Sequence, residues 1–155
     1  MSKPLVSVCI ITYNQESYIR QAIESVLMQK VNFPWEIIIA DDCSKDKTRE
    51  IILEYKDRFP DLIKPLFQKR NVGGGKNFTD LINAATGKYV AYLEGDDYWT
   101  DDGKLQLAAY KGWGKCGIAL GSMSPPRLSR GSERRDPQPH PTVEIAWTFM
   151  SSRTS

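Results

Sequence analysis

Apolar positions in the first two-thirds of the chain fall into two alternating patterns. "LVSVCIITY" (5–13), "WEIIIA" (35–40), "IKPLFQ" (63–68) and "KYVAYLE" (88–94) are short, β-rich runs with few polar interruptions. Runs of this length and texture read as strands buried on both faces. Between them, apolar residues recur three and four apart, as on one face of a helix. In "NQESYIRQAIESVLMQK" these are Ile19, Ala22, Ile23, Val26 and Leu27, with Asn14 as a cap. In "SKDKTREIILEYKDRF" they are Ile51, Ile52, Tyr55 and Phe59, with Asp42 or Ser44 as a cap. "NVGGGKNFTDLINAATG" reads as a glycine-rich loop entering a helix with Phe78, Leu81, Ile82 and Ala85 inward, closed by Gly87. Pro65 cannot donate to a ladder, which predicts the third strand near an edge. Strand–helix alternation of this kind predicts an α/β fold, an open, mostly parallel, doubly wound sheet with flanking helices.

That arrangement changes how the polar clusters are read. Tyr13–Asn14, Asp41–Asp42, Asn71 to Lys76, and Glu94 to Asp97 each lie just beyond the C-terminal end of an expected strand. In an open parallel sheet those ends line one crevice, where ligands bind. Four clusters far apart in sequence are therefore expected to meet at one rim.

Asp96 and Asp97 would serve equally as a turn or helix-cap pair. A third carboxylate, Glu94, stands two residues earlier, and a buried strand delivers all three to the same place. Crowded carboxylates favour a hard divalent cation, Mn²⁺ or Mg²⁺, held by one or two of them plus ligand phosphates. Asp42, beside Asp41, has the chemistry to accept hydrogen bonds from a base or ribose at the crevice floor. "NVGGGK" offers backbone amides and Lys76 to phosphates. It is neither a Walker A loop nor the G-x-G-x-x-G that follows a first Rossmann strand.

Composition narrows the class. The hydrophobic content of 41% suits a globular chain, and no apolar run approaches a membrane span. Cys9, Cys43 and Cys116 are scattered, without a C-x-x-C pair, which argues against a disulfide framework or a cysteine-based zinc site. Residues 1–105 carry 14 Lys and Arg against 16 Asp and Glu, a net −2, whereas residues 106–155 carry seven against three, a net +4. From Gly121 to Pro141 the large apolar residues are Met123 and Leu128 alone. Such a segment buries too little to offset its ordering entropy. We expect an ordered unit over 4–105 and a basic, Pro/Ser/Arg-rich, disordered tail over 106–155. A nucleic-acid-binding arm is the alternative reading of that tail; no nucleic-acid partner is expected.

Taken together, "PLVSVCIITYNQESYIRQAIESVLMQ", "WEIIIADDCSKDKTREII" and "NVGGGKNF…LINAATGKYVAYLEGDDYW" resemble the nucleotide-sugar-binding half of family 2, GT-A-type glycosyltransferases. The resemblance covers about residues 4–105. It implies metal-assisted transfer of a sugar from a nucleotide-diphosphate donor to a glycan or lipid-linked acceptor, in cell-envelope polysaccharide synthesis. It further implies that Tyr13 packs near the base, Asp42 hydrogen-bonds it, and Asp96 faces the ribose or metal. Asp97 would ligate Mn²⁺ or Mg²⁺, and Glu94 fills the first slot of a D-x-D-like triplet. The implied location is cytoplasmic, peripheral at the inner face of the membrane.

The chain also departs from the family pattern. Relatives carry Ala-Arg-Asn where Asn77, Phe78 and Thr79 stand, which shifts the expected positive contact to Lys76 or Arg70. Beyond "DDGKLQ" the likeness stops, and with it the acceptor half and its base carboxylate. No catalytic base is assigned: Glu133, Asp136 and Glu144 sit in the tail, and His140 lies between prolines. An inactive remnant, truncated or frameshifted near Leu105, that at most binds the donor is therefore the alternative. A receiver-like signalling domain also places acidic pairs at strand ends, but the third run here ends in "FQKRN", not in a phospho-acceptor Asp.

Overall fold

The computed structural model describes residues 3–110 and 144–147. The chain runs β1 (Val6–Thr12), α1 (Ile19–Leu27), β2 (Trp35–Asp41), α2 (Thr48–Arg58), β3 (Ile63–Phe67), α3 (Gly74–Ala84), β4 (Tyr89–Glu94), α4 (Lys104–Tyr110) and β5 (Glu144–Trp147). The strands form one sheet in the order β3-β2-β1-β4-β5. Every pairing is parallel. β3, with Pro65, is an edge strand. The chain winds outward from β1 through β2 to β3, then returns to place β4 on the other side of β1. The strand order reverses between β1 and β4, and in an open parallel sheet ligands bind at the strand ends beside such a switch point.

The two faces of the sheet carry separate cores. On one, Val6, Val8 and Ile10 of β1, Ile37 and Ile39 of β2, and Ala91 and Leu93 of β4 pack with Ile19, Ile23 and Val26 of α1 and Ile52 and Tyr55 of α2. On the other, Cys9, Ile38, Ala40 and Val90 pack with Leu81 of α3. Each fully buried branched side chain contributes about 1.5–3 kcal/mol relative to exposure. This two-sided demand is why the strands read as near-continuous apolar runs.

A buried charge secures the end of the sheet opposite the crevice. Glu36, at the start of β2, accepts hydrogen bonds from Ser7 Oγ (2.5 Å), Thr86 N (2.9 Å), Thr86 Oγ1 (2.8 Å) and Lys64 Nζ (2.6 Å). Burial pushes its carboxyl up, but these donors outweigh that and hold it at about 2.

Four boundaries differ from the sequence expectation. Asn14 caps nothing: α1 starts at Ile19, and Asn14 instead accepts from Lys45 N (2.8 Å) with a φ of 51°. Neither Asp42 nor Ser44 caps α2, which begins at Thr48, whose amide donates to Asp46 Oδ1 (3.0 Å). The glycine run is largely helical, since α3 begins at Gly74. Around residue 105, α4 crosses the expected boundary, held by Gln29, whose side chain donates to Asp101 O (2.6 Å) and accepts from Leu105 N (3.1 Å). Within the expected 106–155 tail, residues 106–110 complete α4 and 144–147 pair with β4. The rest of that tail, His140 included, lies outside the described residues.

Candidate functional site

The last strand residues alternate between faces, and this separates the two adjacent aspartates. Ile37, Ile39 and Asp41 share one face of β2, while Ile38, Ala40 and Asp42 share the other, where α3 packs. Asp41 is fully buried and neutralised: Arg49 Nε lies 2.5 Å from Oδ2, and Ser44 donates through both its amide and its hydroxyl. Arg49 also donates to Gln68 O (2.5 Å) and lies over the Phe67 ring, tying α2 to the end of β3. Asp41 is a structural ion.

Asp42 behaves differently. It is 3% exposed, and its two carboxylate oxygens accept from consecutive amides, Val72 N (2.7 Å) and Gly73 N (2.9 Å). The carboxylate clasps the β3–α3 loop. Gly73 adopts a φ of 86°, which favours glycine, and turns the chain into α3. From α3, Asn77 is buried beneath the loop, donating to Ala40 O (3.1 Å) and accepting from Gln68 Nε2 (3.2 Å).

The tips of β1 and β2 are laced together. Asn14 N donates to Ser44 Oγ (2.8 Å), Gln15 N to Thr48 Oγ1 (2.9 Å), and Glu16 N to Asp46 Oδ2 (3.0 Å). Asn14 and Cys43 both hold positive φ, 51° and 63°, an uncommon conformation outside glycine. On the other side, Gly95 N donates to Ile11 O (2.8 Å), drawing the turn after β4 against β1. A side chain at Gly95 would collide with Gln15 Oε1 and come within 2.9 Å of Thr12 Cβ.

These tips enclose a cleft of about 690 Å³. β1 and its loop contribute Ile11, Thr12, Tyr13 and Gln15; β2 contributes Asp42; the β3–α3 segment contributes Asn71, Gly73 to Gly75, Asn77 and Phe78; β4 contributes Tyr92 and Glu94. Phe78 and Tyr92 meet edge to face at 5.3 Å. Of the residues singled out in the sequence, Tyr13, Asp42 and Glu94 therefore line one space. Asp96 and Asp97 follow Glu94 in the adjoining turn and do not line the cleft themselves, but their charge reaches it. Partial desolvation, then the neighbouring Asp96 and Asp97, raises the Glu94 carboxyl above its ordinary value. Burial, then Glu94, Asp96 and Asp97, raises the Tyr92 phenol. Lys76 lies outside the lining and pairs with Asp80 one turn along α3 at 2.5 Å. Arg70 is exposed on the β3–α3 loop.

Gln15, Asn77, Phe78 and Tyr92 also line the cleft, without being expected there from their residue types. Signals for two of them exist: Tyr92 alternates with Glu94 on β4, and Asn77 precedes Leu81 by four residues on α3.

The family model described as Glycosyl transferase family 2 matches residues 7–153, well beyond the stretch that carries the motifs. The chain belongs to that family. An uncharacterized protein of Mycobacterium tuberculosis is 50% identical over 100 residues, 64% of this chain and 29% of that protein. TuaG of Bacillus subtilis, whose name assigns it to teichuronic acid biosynthesis as a glycosyltransferase, is 40% identical over 100 residues, 64% of this chain and 39% of its own. Residues 1–349 of S. aureus TarS, solved in complex with UDP, superpose with a TM-score of 0.59 at 33% identity, covering 68% of this chain and 31% of that one. A mannosyltransferase of Pyrobaculum calidifontis, solved with GDP-Man and Mn²⁺, shares the fold at a TM-score of 0.62 and 22% identity, covering 70% and 32%. The family 2 chain thus spans 29% to 39% of the length of these relatives. Its sheet and flanking helices are those of a GT-A-type fold. No described helix is long and apolar enough to cross a membrane.

Proposed function

We propose that residues 4–105 are a nucleotide-sugar-binding domain, and that its cleft holds the donor for metal-assisted sugar transfer to a glycan or lipid-linked acceptor of the cell envelope. One observation carries this reading: Tyr13, Asp42, the glycine segment and Glu94, delivered by four separate strand ends, line a single cleft. Tyr13, 42% exposed on the rim, packs against the base. Asp42, held in place by two amides, accepts from the base edge with its remaining lone pairs.

The acidic turn fits a hard cation by its donor chemistry. It offers carboxylate oxygen only, and its members repel one another: desolvation first, and then the neighbouring Asp96 and Asp97, raise the Glu94 carboxyl. Among the described residues no three acidic, His or Cys side chains converge as a ready-made cage. Asp97 and Asp96 would therefore hold Mn²⁺ or Mg²⁺ together with the donor diphosphate, the usual way such ions are bound. When bound, the cation supplies positive charge against the diphosphate leaving group. Lys76, on the exposed side of α3, would have to leave Asp80 to reach the phosphates. The location that accompanies this reading is the cytoplasm, at the inner face of the membrane.

Titration calorimetry with UDP and GDP, in MnCl₂ and in EDTA, tests the reading. Binding that weakens about tenfold or more in EDTA, or in Asp97→Asn, is expected, roughly one charge-assisted contact. No nucleotide bound under either condition overturns the donor site; binding indifferent to EDTA overturns the cation. A second reading, binding without transfer, is favoured by the cleft's own carboxylates, which among the described residues are Asp42, already clasped, and Glu94, beside the acidic pair. Release of free sugar or a glycosylated acceptor from a labelled donor separates the two readings.

A further inference from the structure

We propose a second binding site, at the end of the sheet opposite the cleft, that takes a unit of a neutral saccharide against Trp35. A cavity of about 570 Å³ lies there, where the chain enters β1, β2 and β3. Lys3, Pro34, Trp35, Glu36, Asp61 and Lys64 form much of its wall, and none of them lines the donor cleft. β1 is seven residues long, so the two openings stand roughly 20 Å apart. Binding at this end is therefore independent of the donor-binding reading.

Three features of the wall select the ligand. Trp35 is half-buried: it packs against the core and also lines the cavity, beside the exposed Pro34. An indole partly open at a concave surface is a broad apolar plate with something left to cover. Charge is the second feature. Among the described lining residues two ammoniums, Lys3 and Lys64, are matched by two carboxylates, Glu36 and Asp61. Such a wall gives a polyanion or a polycation no net attraction, but it offers a neutral, hydroxyl-rich ring donors and acceptors together. The third is an unfilled acceptor on a buried side chain. Glu36 Oε1 is filled by Ser7 and by the amide and hydroxyl of Thr86, whereas Oε2 accepts from Lys64 alone among the described residues. Lys64 is half exposed and lines the cavity, so Oε2 is the oxygen on that side, with a lone pair to spare. A pyranose has the matching form, with C–H groups on one face for the indole and hydroxyls around its edge. Edge hydroxyls donate to Glu36 Oε2 and Asp61, and the two lysines donate to sugar oxygens. A saccharide held there leaves the donor cleft free, and it is the class of molecule that the transfer proposed above would extend.

Amide and indole NMR of the full chain tests this, with neutral tetrasaccharides of glucose, mannose and N-acetylglucosamine as probes and inorganic pyrophosphate as the charged control. At least one sugar should shift the Lys3, Trp35 and Lys64 signals and saturate at about millimolar concentration, while Val72 and Gly73 of the cleft hold still. Trp35→Ala should weaken that binding about tenfold or more, as loss of an aromatic anchor does. Because Trp35 also packs on the core, Asp61→Ala repeats the test on an exposed side chain, with a loss of about threefold or more expected. The inference is overturned if no sugar gives a saturable shift, or if the shifts fall at Val72 and Gly73 instead. Unchanged affinity in a folded Trp35→Ala or in Asp61→Ala also overturns it, as does pyrophosphate moving the same signals at lower concentration than any sugar.

Discussion

Replacing Asp42 by Asn isolates the clasp between β2 and the glycine loop. In the native chain each carboxylate oxygen accepts one amide, Val72 at 2.7 Å and Gly73 at 2.9 Å, and the side chain is 3% exposed. Asn keeps the shape but offers one acceptor; its NH₂ faces the second amide, donor against donor. A buried hydrogen bond to a charged group contributes about 1.5–3 kcal/mol, and the surviving neutral bond is roughly half as strong as the one it replaces. The loop should lose about 2 kcal/mol of local stability, which corresponds to amide exchange about 30-fold faster. Hydrogen exchange read residue by residue is the assay, with Ile38 and Ile39 of β2 as internal references that open with the whole fold. Val72 and Gly73 should accelerate while the two isoleucines hold their rates. Unchanged exchange at Val72 and Gly73 would refute the clasp, and so would equal acceleration at all four positions.

Two further outcomes follow from features remote from the clasp. Gly95→Ala forces a methyl against Thr12 and Gln15 and should cost about 1–3 kcal/mol, read as a lower denaturant midpoint with an unchanged slope; an unshifted midpoint would show that the β4 turn has room. Glu36 has a folded value of about 2 against 4.5 for the free group, so its stabilisation is complete above pH 4.5 and is lost as pH falls toward 2. With Lys64 half exposed, that loss is discounted to about 1–2 kcal/mol, measured as urea midpoints across that window. Glu36→Gln should flatten the pH dependence there, and a parallel curve would assign it to other carboxylates.

Most of the sheet was legible because burial on both faces writes itself into consecutive residues. Val6 to Ile10 and Ile37 to Ala40 are buried throughout, with Ser7 the one polar residue among them, and helices fill the gaps between them. The division of labour between Asp41 and Asp42 was half legible. Alternation separates them, but which face holds the cleft depends on where α3 packs, and no local pattern in β2 records that. Lys76 illustrates a different limit. Three glycines in a row carry poor helix propensity, so the segment reads as loop; once α3 starts at Gly74, Lys76 stands one turn before Asp80 and pairs with it. Asn14 has the residue type of a helix cap, whereas its partner lies in the neighbouring loop, a contact between segments that sequence distance hides.

The strand order also bears on how the molecule emerges during synthesis. β1 is made first and ends in the interior, with β2 on one side and β4 on the other; Val6 pairs with both Trp35 and Tyr89. At roughly 5–20 residues per second, the second flank of β1 waits several seconds for its partner after the first is covered. During that interval a nascent chain carries β1, β2 and β3 as a three-stranded sheet whose open border is its most apolar strand, a template for pairing with a neighbouring chain on the same message. Arrival of β4 at the ribosome exit closes that window.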